Sequence, residues 1–294
     1  LGGGNDMYKI LEKKVLAPSI FMMKILAPRV AKAAKPGQFI IVRVDEKGER
    51  IPLTICDTDV NEGSVTIVVQ TIGGSTKQME SYEAGDCFFD FVGPLGGESE
   101  LIDEDKEELK RLKIMFISGG VGAAPVYPQV KWLHGNGIKA DVIMGFKNEE
   151  MVILEDEMKE VAGNVYVATD DGSYGFKGMV TNRLQALVDE GNNYDLVVAI
   201  GPMIMMKFMC KLTEQLGIRT VVSMNPIMVD GTGMCGACRI TVDGETKFAC
   251  VDGPEFDGHK VNFDEALKRC TMYKAEESGK SPDATGCYAV GGSK

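Results

Sequence analysis

The sequence predicts a small β barrel, then an open parallel α/β sheet, then a compact C-terminal module of different texture. Three observations carry this reading. From Tyr8 to about Gly97, short runs rich in Val, Ile and Phe are bounded by Gly, Pro or Asp. From near Asp103, apolar strands alternate with helical patterns, the mark of crossovers joining parallel strands. Three of the eight cysteines then crowd between Cys235 and Cys250. At roughly 150 residues per domain, 294 residues allow two domains and an appendage.

The elements follow in order. Leu1–Asp6 (LGGGND) reads as a Gly-rich artificial leader outside the fold, with the native start at Met7. Barrel strands are expected at Phe39–Val44, Ser64–Val69 and Cys87–Val92, with turns at Pro36-Gly37, Glu62-Gly63 and Gly85-Asp86. The barrel domain spans 7–102 and the α/β domain 103–218. The latter opens on an acidic amphipathic stretch, Asp103–Leu112, and the strand Ile114–Ser118. A Gly-rich turn and a helix to about His134 follow, stopped by Gly135-Asn136-Gly137. Strands at Ala140–Met144, Val165–Ala168, Leu196–Ile200 and Thr220–Ser223 then alternate with helices at Leu154–Val161, Val180–Val188 and Met203–Leu216. The Cys-rich module is expected over 219–265 and a C-terminal helix and tail over 266–294, mobile beyond about Lys274.

Composition excludes several classes. Forty-three acidic against 32 basic residues give a net charge of −11, the wrong sign for a nucleic-acid or anionic-membrane partner. No run approaches the roughly 18 apolar residues of a membrane span, and no secretory signal pattern is expected. Eight cysteines are too few for a disulfide scaffold of this length, so a reducing, cytoplasmic setting is expected. With only His134 and His259 present, a His-based catalytic relay has little support, and no catalytic side chain is assigned.

Ligand-capable residues in the module are spaced Asp230-x4-Cys235-x2-Cys238-x11-Cys250. Plant-type [2Fe–2S] proteins use C-x4-C-x2-C and a distant fourth Cys, so the spacing matches with Asp in the first slot. Gly231, Gly233 and Gly236 let the backbone wrap and turn N–H groups toward sulfur, and the β-textured Arg239–Phe248 returns the chain for the last thiolate. A carboxylate is a harder donor than thiolate and should alter the potential. A zinc knuckle stays open as an alternative, although it wants two paired hooks and the second here is a lone Cys. Asp230 is also an ordinary turn residue beside glycines. Cys56, Cys87, Cys210 and Cys270 have no partner at ligand spacing and read as small hydrophobes, and Cys287 has no assigned role.

Ile117-Ser118-Gly119-Gly120-Val121-Gly122-Ala123-Ala124-Pro125 follows an apolar strand and opens a helix, where glycines let a pyrophosphate approach a helix N-terminus. Gly201-Pro202 ends a second strand on the same expected edge. In the barrel, Arg50 near the turn Gly73-Gly74-Ser75-Thr76 could clamp a phosphate. Met203–Met209 reads as core. Glu149, Glu150, Asp170 and Asp171 follow two cofactor-edge strands and would repel a 2′-phosphate, favouring NAD(H) over NADP(H).

In this order the features resemble the ferredoxin–NADP reductase superfamily. Pro36-Gly37-Gln38-Phe39 is similar to its PGQF segment, Ile51-Pro52-Leu53-Thr54 to Arg-Pro-Tyr-Ser, Gly93-Pro94-Leu95-Gly96 to GPLG, and Gly119–Pro125 to GG[TV]GxAP. The cluster module resembles the branch containing the dihydroorotate dehydrogenase electron-transfer subunit. ERIPLT (49–54), TDDGSYG (169–175) and NPIMVDGTGMCGACR (225–239) resemble the small subunits of NADH-dependent ferredoxin:NADP⁺ oxidoreductases, also called sulfide dehydrogenases. The resemblance covers about residues 8–265. It implies FAD in the barrel along Arg50, Pro52, Leu53 and Thr54, with Thr54 near flavin N5 and Gly74–Thr76 near the pyrophosphate. Where the superfamily's phosphate-binding Arg and stacking Tyr stand, this chain has Ile51 and Leu53, so Arg50 is only a substitute one residue upstream. Ile200 replaces a frequent Cys. A relay is implied: hydride from NAD(P)H to the flavin, then single electrons to the [2Fe–2S] centre and a larger flavin/iron–sulfur partner subunit, with ferredoxin a further candidate partner. The dihydroorotate dehydrogenase electron-transfer subunit is the alternative, which Asp230 in place of a Cys disfavours, and a non-catalytic, zinc-stabilised nucleotide-binding module is another.

Overall fold

The computed structural model describes residues 8–272. The expected leader 1–6, the tail beyond Lys274 and Cys287 lie outside the described residues.

The first six strands are β1 (Ile10–Ala17), β2 (Ile20–Leu26), β3 (Phe39–Arg43), β4 (Ile51–Asp59), β5 (Ser64–Gln70) and β6 (Asp90–Leu95), with helices α1 (Pro28–Ala33) and α2 (Gly74–Glu80) between them. They pair antiparallel in the order β1-β2-β5-β4-β3-β6. The two edges meet: Phe88 N–H donates to Tyr8 O at 3.1 Å and Ile10 N–H to Asp86 O at 2.8 Å, closing the sheet into a barrel. Alternating side chains fill it, with Ile10, Phe21, Met23, Ile25, Ile40, Val42, Ile67 and Phe91 nearly inaccessible.

Two short helices, α3 (Glu100–Asp103) and α4 (Lys106–Leu109), occupy the region of the expected acidic amphipathic stretch, 103–112. Asp105 divides them, because its carboxylate accepts from the N–H groups of Glu107 and Glu108 and so caps a new helix. Next come β7 (Ile114–Gly119), α5 (Ala123–Gly135), β8 (Ala140–Phe146), α6 (Glu155–Val161), β9 (Val165–Thr169), β10 (Phe176–Lys177), α7 (Val180–Asp189), β11 (Leu196–Ile200), α8 (Met203–Leu216) and β12 (Arg219–Ser223). Their sheet runs β10-β9-β8-β7-β11-β12, all parallel, and β15 (Glu255–Asp257) adds an antiparallel edge to β12. Met203, Met206 and Met209 of α8 are buried in the core. The hairpin β13 (Arg239–Val242) and β14 (Glu245–Phe248) and the helix α9 (Phe263–Cys270) complete the module. Among the described residues, no helix is long and apolar enough to cross a membrane.

The parts share cores. Ala123, Ala124, Val126 and Val130 of α5 pack in one cluster with Ile20, Cys56 and Val68 of the barrel. Lys131 on α5 adds an ion pair to Asp57 on β4 at 2.7 Å. On another side, Phe39 and Ile41 of β3 share a core with Cys238, Ile240 and Cys250.

A buried polar strut locks this arrangement. Glu255 accepts from Ser99 Oγ at 3.0 Å, Glu100 N–H at 3.1 Å and Gln129 Nε2 at 2.7 Å, tying β15 to the interdomain linker and to α5. Removing it as Glu255→Ala strands those donors and should cost about 2–4 kcal/mol in urea unfolding. Burial raises the Glu255 pKa above the ordinary carboxylate value. The folded state therefore holds this proton to higher pH than the unfolded chain. Its stabilising effect is complete below the unfolded pKa and is lost as pH rises through the folded one. Glu255→Gln should flatten that slope in unfolding curves taken from pH 4 upward.

Candidate functional site

In the sheet, β7 is flanked by β8 and β9 on one side and by β11 and β12 on the other. The crossovers therefore diverge between β7 and β11, which opens a crevice beyond their C-terminal ends. Ser118 pairs with Ile200 at that edge, so Gly119–Gly122 and Gly201-Pro202 leave the sheet side by side. Most of these glycines serve close packing of the two turns. A Cβ on Gly119 would lie 2.6 Å from Met205 Sδ, one on Gly201 would lie 2.9 Å from Gly119 N, and one on Gly122 would collide with the carbonyl oxygen of Ile200. Gly120 differs: its φ is +54° and a Cβ there would meet nothing within 4 Å, so its backbone faces open space. Pro125 falls in the first turn of α5, where no intrahelical N–H bond is due. Ser118 Oγ, fully buried at the end of β7, has no hydrogen-bond partner among the described residues, a feature with no local signal in the sequence.

The loops after β8 and β9 are stapled together on the same edge. Asp170 N–H donates to Phe146 O at 3.1 Å, and Glu149 N–H donates to Ser173 Oγ at 2.8 Å. Ser173 donates to Asp171 through Oγ at 2.7 Å and through its N–H at 2.9 Å, and these two bonds hold the Asp171 carboxyl below its usual value. The acidic residues thus form one exposed group beside the crevice.

In the barrel, Ile51–Thr54 lies on β4, with Pro52 opposite Ile41 and Thr54 opposite Phe39. Leu53 packs against the barrel core. Ser75 Oγ donates to Glu49 at 3.2 Å, which brings the Gly73–Thr76 turn beside the start of β4. Thr76 Oγ1 accepts from Ile72 N–H at 2.9 Å and Gly73 N–H at 3.1 Å, fixing the turn, while Gly73 and Gly74 would each place a Cβ in open space. Arg50 bridges two parts of the fold: its Nε donates to Val229 O at 2.9 Å and its Nη1 to Asp90 at 3.2 Å, bonds that reach the Cys-rich loop and β6.

The Cys-rich loop rests on the barrel. Gly231, Gly233 and Gly236 have φ of +75°, +81° and +65°, conformations that a Cβ would strain. A Cβ on Gly231 would also lie 2.6 Å from Leu95 Cδ1. The hairpin β13–β14 carries Cys250 back to Cys238, and the two buried sulfurs stand 3.2 Å apart. That separation is too long for a disulfide and short enough for two ligands of one centre. Burial, then the Cys238 thiol, pushes the Cys250 thiol up to about 12. A bound cation would reverse this balance. Cys235 is exposed, and its N–H donates to Asp230 Oδ2 at 2.8 Å, while Thr232 N–H donates to Oδ1 at 2.8 Å. Among the described residues no three acidic, His or Cys side chains already converge at metal-holding distance. Two of the expected ligands meet, and the other two share one turn. A soft donor set of three sulfurs on a glycine-wrapped loop fits an iron–sulfur group. Cys56 and Cys210 are buried, and burial raises both thiols to about 12, as suits inert core residues.

Comparison with known proteins matches these two regions separately. Residues 116–211 match the oxidoreductase NAD-binding domain, and 225–262 match the iron–sulfur cluster binding domain of dihydroorotate dehydrogenase B. The chain is 44% identical, over 94% of each chain, to the dihydroorotate dehydrogenase B (NAD(+)) electron transfer subunit homolog of Thermotoga maritima. It is 63% identical to an uncharacterized protein of Clostridium beijerinckii over 92% of each. A chain of the NADH-dependent reduced ferredoxin-NADP oxidoreductase structure, described for flavin-based electron bifurcation, superposes with a TM-score of 0.85 at 43% identity, covering 94% of this chain and 97% of that one. With a ferredoxin–NADP reductase-like fold, an NAD-binding domain and an iron–sulfur binding domain in one chain, the protein belongs to the family of dihydroorotate dehydrogenase B electron-transfer subunits and their homologues.

Proposed function

We propose that this chain is the electron-transfer subunit of an NAD(H)-dependent flavin/iron–sulfur oxidoreductase, with NAD(H) in the β7/β11 crevice, FAD on the barrel and a [2Fe–2S] cluster in the loop 230–250. The supporting observation is the central place of the barrel. Its strands β4 and β5 adjoin α5 and the Gly120–Gly122 turn, while β3, β6 and Arg50 adjoin the Cys-rich loop. When bound, flavin accepts two electrons from a nicotinamide and releases them singly to a one-electron carrier.

The chain's own residues prepare this exchange. Gly120 leaves room for a dinucleotide at the crevice, and Gly201-Pro202 forms its second wall. Ala124 packs the start of α5 against the barrel, and Pro125 lies in that helix's first turn beside the crevice. Glu149, Glu150, Asp170 and Asp171 disfavour a 2′-phosphate, so NAD(H) is taken over NADP(H). Pro52, Leu53 and Thr54 line the flavin's strand, and Gly73–Thr76 takes its phosphates. Asp230, Cys235, Cys238 and Cys250 are the cluster ligands. His134 lies in the last turn of α5, and His259 Nε2 is within 3.0 Å of Thr213 Oγ1, so neither is assigned a proton-transfer role. The functional division is 7–102, 103–218 and 219–265.

Beside the exposed Cys235, Val229, Met234 and Val251 are also exposed, Met234 by 88%. An apolar rim around a one-electron carrier suits a larger partner subunit. The names of the relatives make a dihydroorotate dehydrogenase catalytic subunit the second candidate partner. We place the complex in the cytoplasm, in keeping with the thiol chemistry.

Anaerobically purified protein should show flavin absorption, about two iron and two sulfide per chain, and an EPR signal on reduction. A colourless protein carrying only zinc would overturn the proposal.

A further inference from the structure

Resting on the reading of 230–250 as a cluster loop, we propose that Arg50 is a positioning residue of that loop, holding its Asp230 end against the barrel and supplying positive charge there. Two observations converge. Arg50 immediately precedes β4 and spans from Asp90, the first residue of β6, to the carbonyl of Val229, the residue before Asp230. Two residues further on, the Gly231 backbone lies so close to Leu95 of β6 and Ile41 of β3 that any side chain there would collide. The loop is thus pinned at 229 by a polar contact and at 231 by an apolar one, and Asp230 lies between the pins.

The Arg50–Asp90 pair is only part-buried, with about 30% of each side chain exposed. Its ion pairing alone therefore adds little to stability. The bond to Val229 O differs in kind, because it crosses between two parts of the fold 179 residues apart in sequence. A planar guanidinium can serve an in-plane carbonyl and a carboxylate together, which a lysine ammonium does with less directional control. Electrostatics act at the same place. The guanidinium that bonds Val229 O stands one residue along the chain from Asp230, so its charge is held at that end of the loop. A fixed cation beside the oxygen-ligated end of a cluster stabilises its reduced, more negative state.

The test compares Arg50→Ala and Arg50→Lys in the full-length protein, with three readouts: flavin content, hydrogen exchange of the 229–236 amides, and the cluster midpoint potential from EPR-monitored titration. Arg50→Ala should keep wild-type flavin content, speed loop exchange by about tenfold or more, and lower the midpoint potential. Arg50→Lys should restore most of the potential, because the charge returns, while exchange stays fast, because the fork does not. Loss of flavin in Arg50→Ala, with loop exchange and potential unchanged, would overturn the proposal and make Arg50 a phosphate ligand. Failure of the cluster reading shows up differently, as wild-type protein without iron. The exchange measurement still decides whether Arg50 anchors the loop in that case.

Discussion

Cys250→Ser should yield a flavin-containing protein without iron or acid-labile sulfide, and Cys238→Ser should do the same. The two sulfurs are buried and 3.2 Å apart, so losing either removes one member of the best-formed ligand pair. A serine hydroxyl is a poorer donor to iron than a thiolate. The flavin readout stays because the barrel core is built from other residues, among them Phe21, Ile67 and Phe91. Asp230 then separates two roles that share one geometry. Its two oxygens organise the turn through Thr232 and Cys235 N–H groups, and a carboxylate keeps lone pairs for a metal as well. Asp230→Asn retains one turn acceptor but loses the anion. If Asp230 is a ligand, Asn should empty the site and Asp230→Cys should refill it. Full iron content in Asp230→Asn would reduce Asp230 to a turn residue.

Local pattern made most of this fold legible, and the departures have local causes. The expected strand Cys87–Val92 shifts to Asp90–Leu95 because Cys87 and Phe88 pair with Lys9 and Tyr8 at the barrel closure, and because Gly93-Pro94 is tolerated inside a strand. Pro94 lacks a donor, which ordinarily argues against a strand interior, but among the described residues β6 stands at the end of the strand order, beside β3. The division of 103–112 turned on a single cap, Asp105, inside a run whose acidity hid it. Strand Arg219–Ser223 joins the parallel sheet through β11, and Glu255–Asp257 joins it antiparallel, a pairing that no hydrophobic period announces. The candidate site was legible where one short stretch held several of its members, as in 230–250. It was illegible where participants converge from afar. Ser99, Gln129 and Glu255 span 156 residues of sequence, and Arg50 meets Val229 across 179. Glycine gave the most instructive difference. Gly-rich spacing pointed to close approach of a phosphate, whereas at Gly119, Gly122 and Gly201 the approaching atoms belong to the protein, most of them to the neighbouring turn.

That distinction sets the second large effect. Gly122→Ala should slow NADH reduction of the flavin by about a hundredfold, measured by anaerobic stopped flow, with flavin and iron contents near wild type. The new methyl would stand inside the contact shell of the Ile200 carbonyl and close to Gly201 Cα. Both atoms belong to backbone, so no rotamer change can relieve the clash, and the β7 and β11 turns must separate. Overpacking of this kind costs about 1–3 kcal/mol, within the stability of a domain of this size. The chain should therefore fold with its crevice displaced. Displacement by about 1 Å is enough to cost two orders of magnitude in a transfer that depends on alignment. Gly120→Ala is the complementary probe. Its Cβ meets no protein atom, so the fold loses only about 1 kcal/mol from the positive φ. The methyl instead projects into the space assigned to the dinucleotide, so NADH affinity should fall while the reduction rate at saturation stays near wild type. Two alanines two residues apart should thus separate rate from affinity. Wild-type kinetics in both would remove the crevice as the nicotinamide site.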